Sequence, residues 1–162
     1  MIRVPSPPLI LIPTTAGTTT DPSGLAKINA WIDDSADNTS KRFYGGDLLG
    51  NLWRFDVDNL VQPNRGALLL AEFKINATTP QPITVKPETV DISGKPVIVV
   101  ATGKYFGTAD IEDTTQQSIY AVKDPLTNTS LGDVRTNNTM VRQTFTVTGI
   151  TASITMPPTF SK

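Results

Sequence analysis

Apolar positions along this chain come in short runs with a period of two, punctuated by clusters of Pro, Gly, Asn and Asp. That pattern predicts strands and turns, and helical spacing is nearly absent. The clearest alternation is Asn51–Val57 (NLWRFDV), which places Trp53, Phe55 and Val57 on one face and Leu52, Arg54 and Asp56 on the other. It follows Arg42–Gly46 (RFYGG) through a turn containing Gly50 and Asn51, so the two segments read as a hairpin. Ala67–Lys74 predicts a third strand beyond a turn at Pro63–Gly66. Upstream, Ala26–Ile32 predicts a fourth, with Ile28, Ala30 and Ile32 on a common face.

The four-part layout then recurs. Ile83–Val85 and its continuation toward Val90 form a first strand, Pro96–Thr102 a second, Ser118–Val122 a third and Val141–Val147 a fourth. The second strands begin at Arg42 and Val97, about one blade length apart by propeller repeat periods. Val97–Ala101 is apolar at every position, which implies burial on both faces, as in a blade covered by neighbours. The expected fold is therefore all-β, a partial β-propeller of about two four-stranded antiparallel blades. The domain reading is an extended linker or strand at 1–24, a blade at 25–78, a second at 79–149, and a tail or next blade at 150–162. Propellers close with about 4–8 blades, so the chain reads as truncated, with sticky flanking faces that favour self-association.

Composition narrows the chemistry. The chain of 162 residues has no cysteine and no histidine, which removes disulfides, thiol nucleophiles, thiolate zinc sites and imidazole bases. The net charge is −1, and the basic residues are scattered, so no nucleic-acid partner is expected. No apolar run is long enough to span a membrane as a helix. The Leu9–Ile12 run is too short and proline-flanked for a signal peptide, and any export signal is expected upstream. Asn-x-Ser/Thr triplets at Asn38, Asn76, Asn128 and Asn137 are expected by chance in so Thr-rich a chain.

The block from Arg42 to Asp56 (RFYGGDLLGNLWRFD) resembles the Y-x-G-D-x-x-G-N-x-W-R/K-F-D motif of the PilY/PilC family of type IV pilus tip proteins. Lys95–Gly107 (KPVIVVATGKYFG) is similar to that family's later apolar strand and its T-G-K/R-Y turn. Gln117–Asp124 and Pro80–Pro87 follow in family order, and together the similar blocks cover roughly residues 24–146. The resemblance implies a quinoprotein-like propeller within a long exported protein at the cell surface, the fimbrium or the outer membrane. It also implies a non-enzymatic structural and interaction role in pilus biogenesis and adhesion. The implied partners are pilin or minor pilins and the remainder of the chain's own propeller. The alternatives are a fragment of a quinoprotein-dehydrogenase-like enzyme and a calcium-regulated binding module.

The motif itself reads as scaffold. Gly45 and Gly46 allow close backbone approach or a bulge, Asp47 caps turn amides, and Trp53 and Phe55 fill the space between blades, the indole requiring one polar partner. No catalytic or cofactor-binding residue is expected. One loop carries candidate metal chemistry, at Asp33–Lys41 (DDSADNTSK), where Asp33, Ser35, Asp37 and the Thr39 carbonyl have the alternate spacing of calcium ligands. Some family members carry a D-x-D/N-x-D-G-x-x-D calcium loop just before the Tyr-Gly-Gly-Asp block. Here Asn38 replaces the turn glycine and Lys41 the last carboxylate, so the loop reads first as a plain acidic turn and second as a calcium site. A second acidic loop, Asp110–Asp113, reads as a soluble connection. Gly45, Gly46 and Gly50 lack the ending and the helix of a phosphate-binding loop.

Overall fold

The computed structural model describes residues 9–34, 36–137, 140–149 and 151–154. Four strands, β1 (Ile28–Asp34), β2 (Thr39–Gly46), β3 (Asn51–Asp56) and β4 (Ala67–Glu72), form one antiparallel meander in chain order. The expected β2–β3 hairpin is present, with Arg42 opposite Asp56, Tyr44 opposite Arg54 and Gly46 opposite Leu52. Its turn spans Asp47 to Gly50, and Gly50 adopts φ +77°, a conformation that a side chain resists.

A second sheet holds β5 (Glu88–Asp91), β6 (Pro96–Ala101) and β7 (Ile119–Lys123). β5 and β6 are joined by Ser93 and Gly94, both at positive φ, and the flanking Ile92 and Lys95 exchange backbone hydrogen bonds of 2.9 and 3.3 Å. Two positive φ values in a row match the right-handed strand twist, which is why this two-residue loop closes a hairpin. The sheets stack, and their shared core gathers Trp31, Tyr44, Leu52, Leu70 and Phe73 from the first side against Ile83, Ile98, Val100 and Val122. Phe73 and Tyr120 stack with ring centroids 4.2 Å apart.

Three strand expectations are corrected. Ile83 is fully buried but makes only an isolated bridge to Gly103, and the first strand of the second sheet begins at Glu88. The second sheet has three strands rather than four. Within Val141–Val147 only the end is extended, as β8 (Phe145–Thr148), and it pairs with β9 (Thr151–Ile154) instead of β7. The reason lies in the route of the chain after β7. Leu131 donates to the Leu70 carbonyl (2.8 Å), Glu72 to Gly132 (2.9 Å) and Val134 to Glu72 (3.2 Å), so this segment runs along β4 and completes the edge of the first sheet. The Thr-rich stretch beyond it then folds back on itself at Gly149, φ +62°.

Burial on both faces also falls on a different strand. In β6, Ile98 and Val100 are buried against the first sheet, whereas Val97, Val99 and Ala101 are half-buried on the outer side. In β3, by contrast, all six residues are buried, polar ones included.

Candidate functional site

Asp47 organises the β2–β3 turn. One carboxylate oxygen accepts the amides of Leu49 (3.0 Å) and Asn51 (2.9 Å), and the other accepts the Asn51 side-chain amide (2.9 Å) and the Trp53 indole (2.9 Å). The expected cap is therefore present, and the polar partner required by Trp53 is the same carboxylate. Gly46 serves close approach across the stack: a Cβ there would lie 2.1 Å from Ile83 Cγ2. Trp53 and Phe55 do not fill the space between these two sheets. Leu52 and Arg54 take the inward face, so the alternation turns both aromatics to the outer face, beside Phe43 and Leu69.

The inward face carries charge. Arg54, wholly excluded from solvent, donates from Nε to Asp56 (3.0 Å) and from Nη1 to both oxygens of Asp124 (2.9 and 3.1 Å), just past β7 in the second sheet. Tyr44 donates its hydroxyl to Asp124 at 2.8 Å, and Arg54 Nη2 caps the Thr127 carbonyl at 3.0 Å. On the same face Arg42 pairs with Asp33 of β1, and it faces Asp56 and Asp58 at 3.4 Å each. The result is one ladder, Asp33–Arg42–Asp56–Arg54–Asp124–Tyr44, crossing β1, β2 and β3 into the second sheet. Burial, then the Asp124 charge, push the Tyr44 phenol well above its ordinary range. Burial opposes the charge on Arg54, but Asp124 and Asp56 outweigh it and hold the guanidinium ionised. Burial raises the carboxyls of Asp33 and Asp56, with Arg42 and Arg54 respectively pulling them back.

Among the described residues, the candidate calcium ligands Asp33, Asp37 and Thr39 do not form a metal-holding group. Asp33 is turned to Arg42, and Asp37 spends one oxygen on the amide (2.9 Å) and hydroxyl (2.7 Å) of Thr39. Those two bonds lower the Asp37 carboxyl. Asn38 takes φ +53°, the left-handed conformation that suits the position given to glycine in the calcium-loop pattern. Thr39 opens β2 opposite Asp34, and Ser35 lies outside the described residues. Among the described residues no group of three or more acidic side chains has metal-holding geometry. The described residues of the loop do not fit the calcium site that some family members carry at this place.

A second polar knot sits at the far end of the stack. Gln81 donates to the Gln116 carbonyl (2.7 Å) and accepts from Tyr120, while Arg135 donates to Ser118 (3.0 Å), Tyr120 (3.1 Å) and the Lys74 carbonyl (2.7 Å). An opening of about 850 Å³ lies beside β7, between Tyr120 and Arg135 on one side and Met140, Arg142 and Phe145 on the other. The reading of residues 42–56 as scaffold found Asp47 but missed Arg42, Tyr44, Arg54 and Asp124. A surface strand and a buried ion pair give the same alternation, and no local signal ties Arg54 to a partner 70 positions away.

Stacked antiparallel meanders fixed by inward charge pairs, with further apolar side chains turned outward, define the class: part of a β-propeller. The profile of the PilY1 β-propeller domain matches residues 11–149. The chain belongs to that family. It is 30% identical, over 135 residues, to the type IV pilus biogenesis factor PilY1 of Pseudomonas aeruginosa, in strains PAO1 and PAK alike. That match covers 68% of this chain and 12% of the relative, so the chain spans a small part of the length of the curated relatives it matches. The crystal structure of the Pseudomonas aeruginosa PilY1 C-terminal domain superposes with a TM-score of 0.59 at 22% identity, covering 86% of this chain and 35% of that one.

Proposed function

We propose that this chain is a non-enzymatic structural and interaction module of the type IV pilus biogenesis machinery, working as part of a larger propeller at the cell surface. One observation carries the reading. The side chains of Tyr44, Asp47, Asn51, Trp53 and Arg54 hydrogen-bond within the segment or to Asp124 inside the stack, while the outer sheet faces carry mainly apolar side chains, interspersed on the second sheet with Glu88 and Lys123. On the first sheet that face presents Ile28, Ile32, Phe43 and Leu69, and on the second Val90, Val97, Val99 and Ile119, the last 78% exposed. Apolar faces of this extent are the surfaces on which further blades pack. Pilin or minor pilins are then contacted by the assembled propeller rather than by a chemical centre in this segment.

The test is capture of purified pilin and minor pilins by the longer protein that carries the complete propeller, alongside pilus counts in a strain lacking residues 26–148. Capture together with loss of surface pili supports the role. No capture and normal pili would remove it. A charge on the outer face, Val99→Lys, is expected to weaken docking of the neighbouring blade while leaving the β6–β7 pairing intact.

A further inference from the structure

Arg42 is 2% exposed, and carboxylates from three separate elements converge on it: Asp33 from β1, Asp56 from β3 and Asp58 from the loop after β3. The ladder as a whole sets two guanidiniums, Arg42 and Arg54, against four carboxylates, Asp33, Asp56, Asp58 and Asp124. Around Arg42 polar atoms remain unmet on both sides: Asp33 Oδ1, Asp56 Oδ1 and Asp58 Oδ2 are buried and receive no hydrogen bond, and Arg42 Nε, 3.4 Å from Asp56 Oδ1, makes none. With three carboxylates gathered on one guanidinium, this corner needs a cation to exist at all. In the adjacent loop Asp37 gives one oxygen to Thr39 and Asp33 faces the guanidinium, and among the described residues no group of three or more acidic side chains has metal-holding geometry.

We infer that the Arg42 guanidinium is the resident cation of the β1–β2 loop, holding Asp33, Asp56 and Asp58 together in place of a bound metal ion and making the loop indifferent to calcium. A guanidinium suits the task because its planar fork serves several carboxylates at once and never loses its charge. Asp56 is shared with Arg54, so the loop is wired directly to the sheet–sheet junction, and its geometry is fixed by the fold and not by ion supply.

Melting curves of the purified chain in millimolar calcium, in millimolar magnesium and in a chelator are expected to superimpose. A higher melting temperature in calcium would overturn the inference. Arg42→Met keeps the length of the side chain and removes the charge, and is expected to lower the melting temperature by on the order of 10 °C. The decisive readout is a change of sign. Asp33→Asn with Asp58→Asn destabilises the parent, because it strips the guanidinium of its partners, and stabilises the Arg42→Met variant, because it relieves uncompensated carboxylates. Packing of the Arg42 stem alone would give the same sign in both backgrounds, which would also overturn the inference. Should Arg42→Met not fold, its recovery of folding with the two Asn substitutions supports the inference, and continued failure with them present sinks it.

Discussion

Arg54 Nη1 stands 2.9 and 3.1 Å from the two carboxylate oxygens of Asp124, tying the third strand of the first sheet to the end of β7 in the second, with both side chains sealed from solvent. The pair sits where two sheets that share no backbone ladder meet face to face. Hydrophobic contact between sheets is non-directional, so it tolerates sliding, whereas a forked ion pair accepts one offset.

Removing one partner strands the other charge in the stack. Arg54→Met and Asp124→Asn are each expected to cost about 3–5 kcal/mol, the range for breaking a buried pair. The double variant is expected to lose much less than the sum, because no lone charge remains. Urea denaturation of the four proteins in a double-mutant cycle measures this. Additive losses would mean that the pair acts as two independent polar contacts.

Asp47 receives four hydrogen bonds within the β2–β3 turn, two from backbone amides and two from the Asn51 and Trp53 side chains. Asp47→Ala leaves those donors in a buried place without water, and about 2–3 kcal/mol of lost stability is expected. Asp47→Asn retains one acceptor oxygen and should recover part of it. In a Trp31→Phe background, emission comes from Trp53 and reports locally on the same event: it shifts to the red in the Ala variant, as the indole loses its partner and meets solvent.

The sequence made the β2–β3 hairpin legible because local chemistry specifies it: alternation, a left-handed Gly50, and Asp47 ahead of the amides it caps. The apolar run in β6 was legible as a buried strand, though only Ile98 and Val100 are fully covered by the first sheet, and Val97, Val99 and Ala101 are half-buried on the outer side. Two things were hidden. Arg54 and Asp56 sit at the polar positions of an alternating strand, which ordinarily face water, and only a partner distant in the chain makes burial affordable. Val141–Val147 has the composition of a fourth strand, but its fate is set by residues 131–134, which are drawn to the open edge of β4 by Leu131 and Val134. Edge competition between two sheets leaves no mark on either segment alone.

The loop between β6 and β7 should soften in strong acid. Asp110 accepts the amides of Phe106 (2.8 Å) and Gly107 (3.2 Å) and faces Lys104 at 3.3 Å, and the Phe106 bond leads the causes that hold its carboxyl below the ordinary value of 3.8. Asp113, bonded to the hydroxyl and amide of Thr115, is lowered in the same way. A depressed folded-state pKa favours the ionised form, so the stabilising contribution is complete above pH 3.8 and is lost as the pH falls through the lower folded value. Amide exchange at Phe106 and Gly107, measured against pH and corrected for intrinsic rates, is expected to lose protection in that window. Asp110→Asn is expected to lose it at neutral pH. A protection profile that ignores pH in the parent would show that the carboxylate does not hold this loop.

Gly46 and Gly50 flank the turn for different reasons, and substitution should separate them. The three atoms nearest a Cβ at Gly46 all belong to Ile83, with Cγ2 at 2.1 Å and Cβ at 2.4 Å, so the severe clash is with one side chain of the opposing layer. Gly46→Ala is expected to cost about 1–3 kcal/mol as overpacking. Ile83→Ala alone opens a cavity worth about 2–5 kcal/mol, and the combined variant should lose less than the two together, since each relieves the other's fault. At Gly50 the added Cβ would lie 2.4 Å from the Phe73 carbonyl oxygen, on a backbone that also requires φ +77°. Neither a carbonyl in a hydrogen bond nor a left-handed turn can yield to a side-chain change elsewhere, so no truncation of a neighbour should rescue Gly50→Ala. Chemical denaturation of the set decides the matter: coupling at Gly46 with Ile83, and its absence between Gly50 and Phe73→Leu, places the first glycine in the packing of the two layers and the second in the hairpin itself.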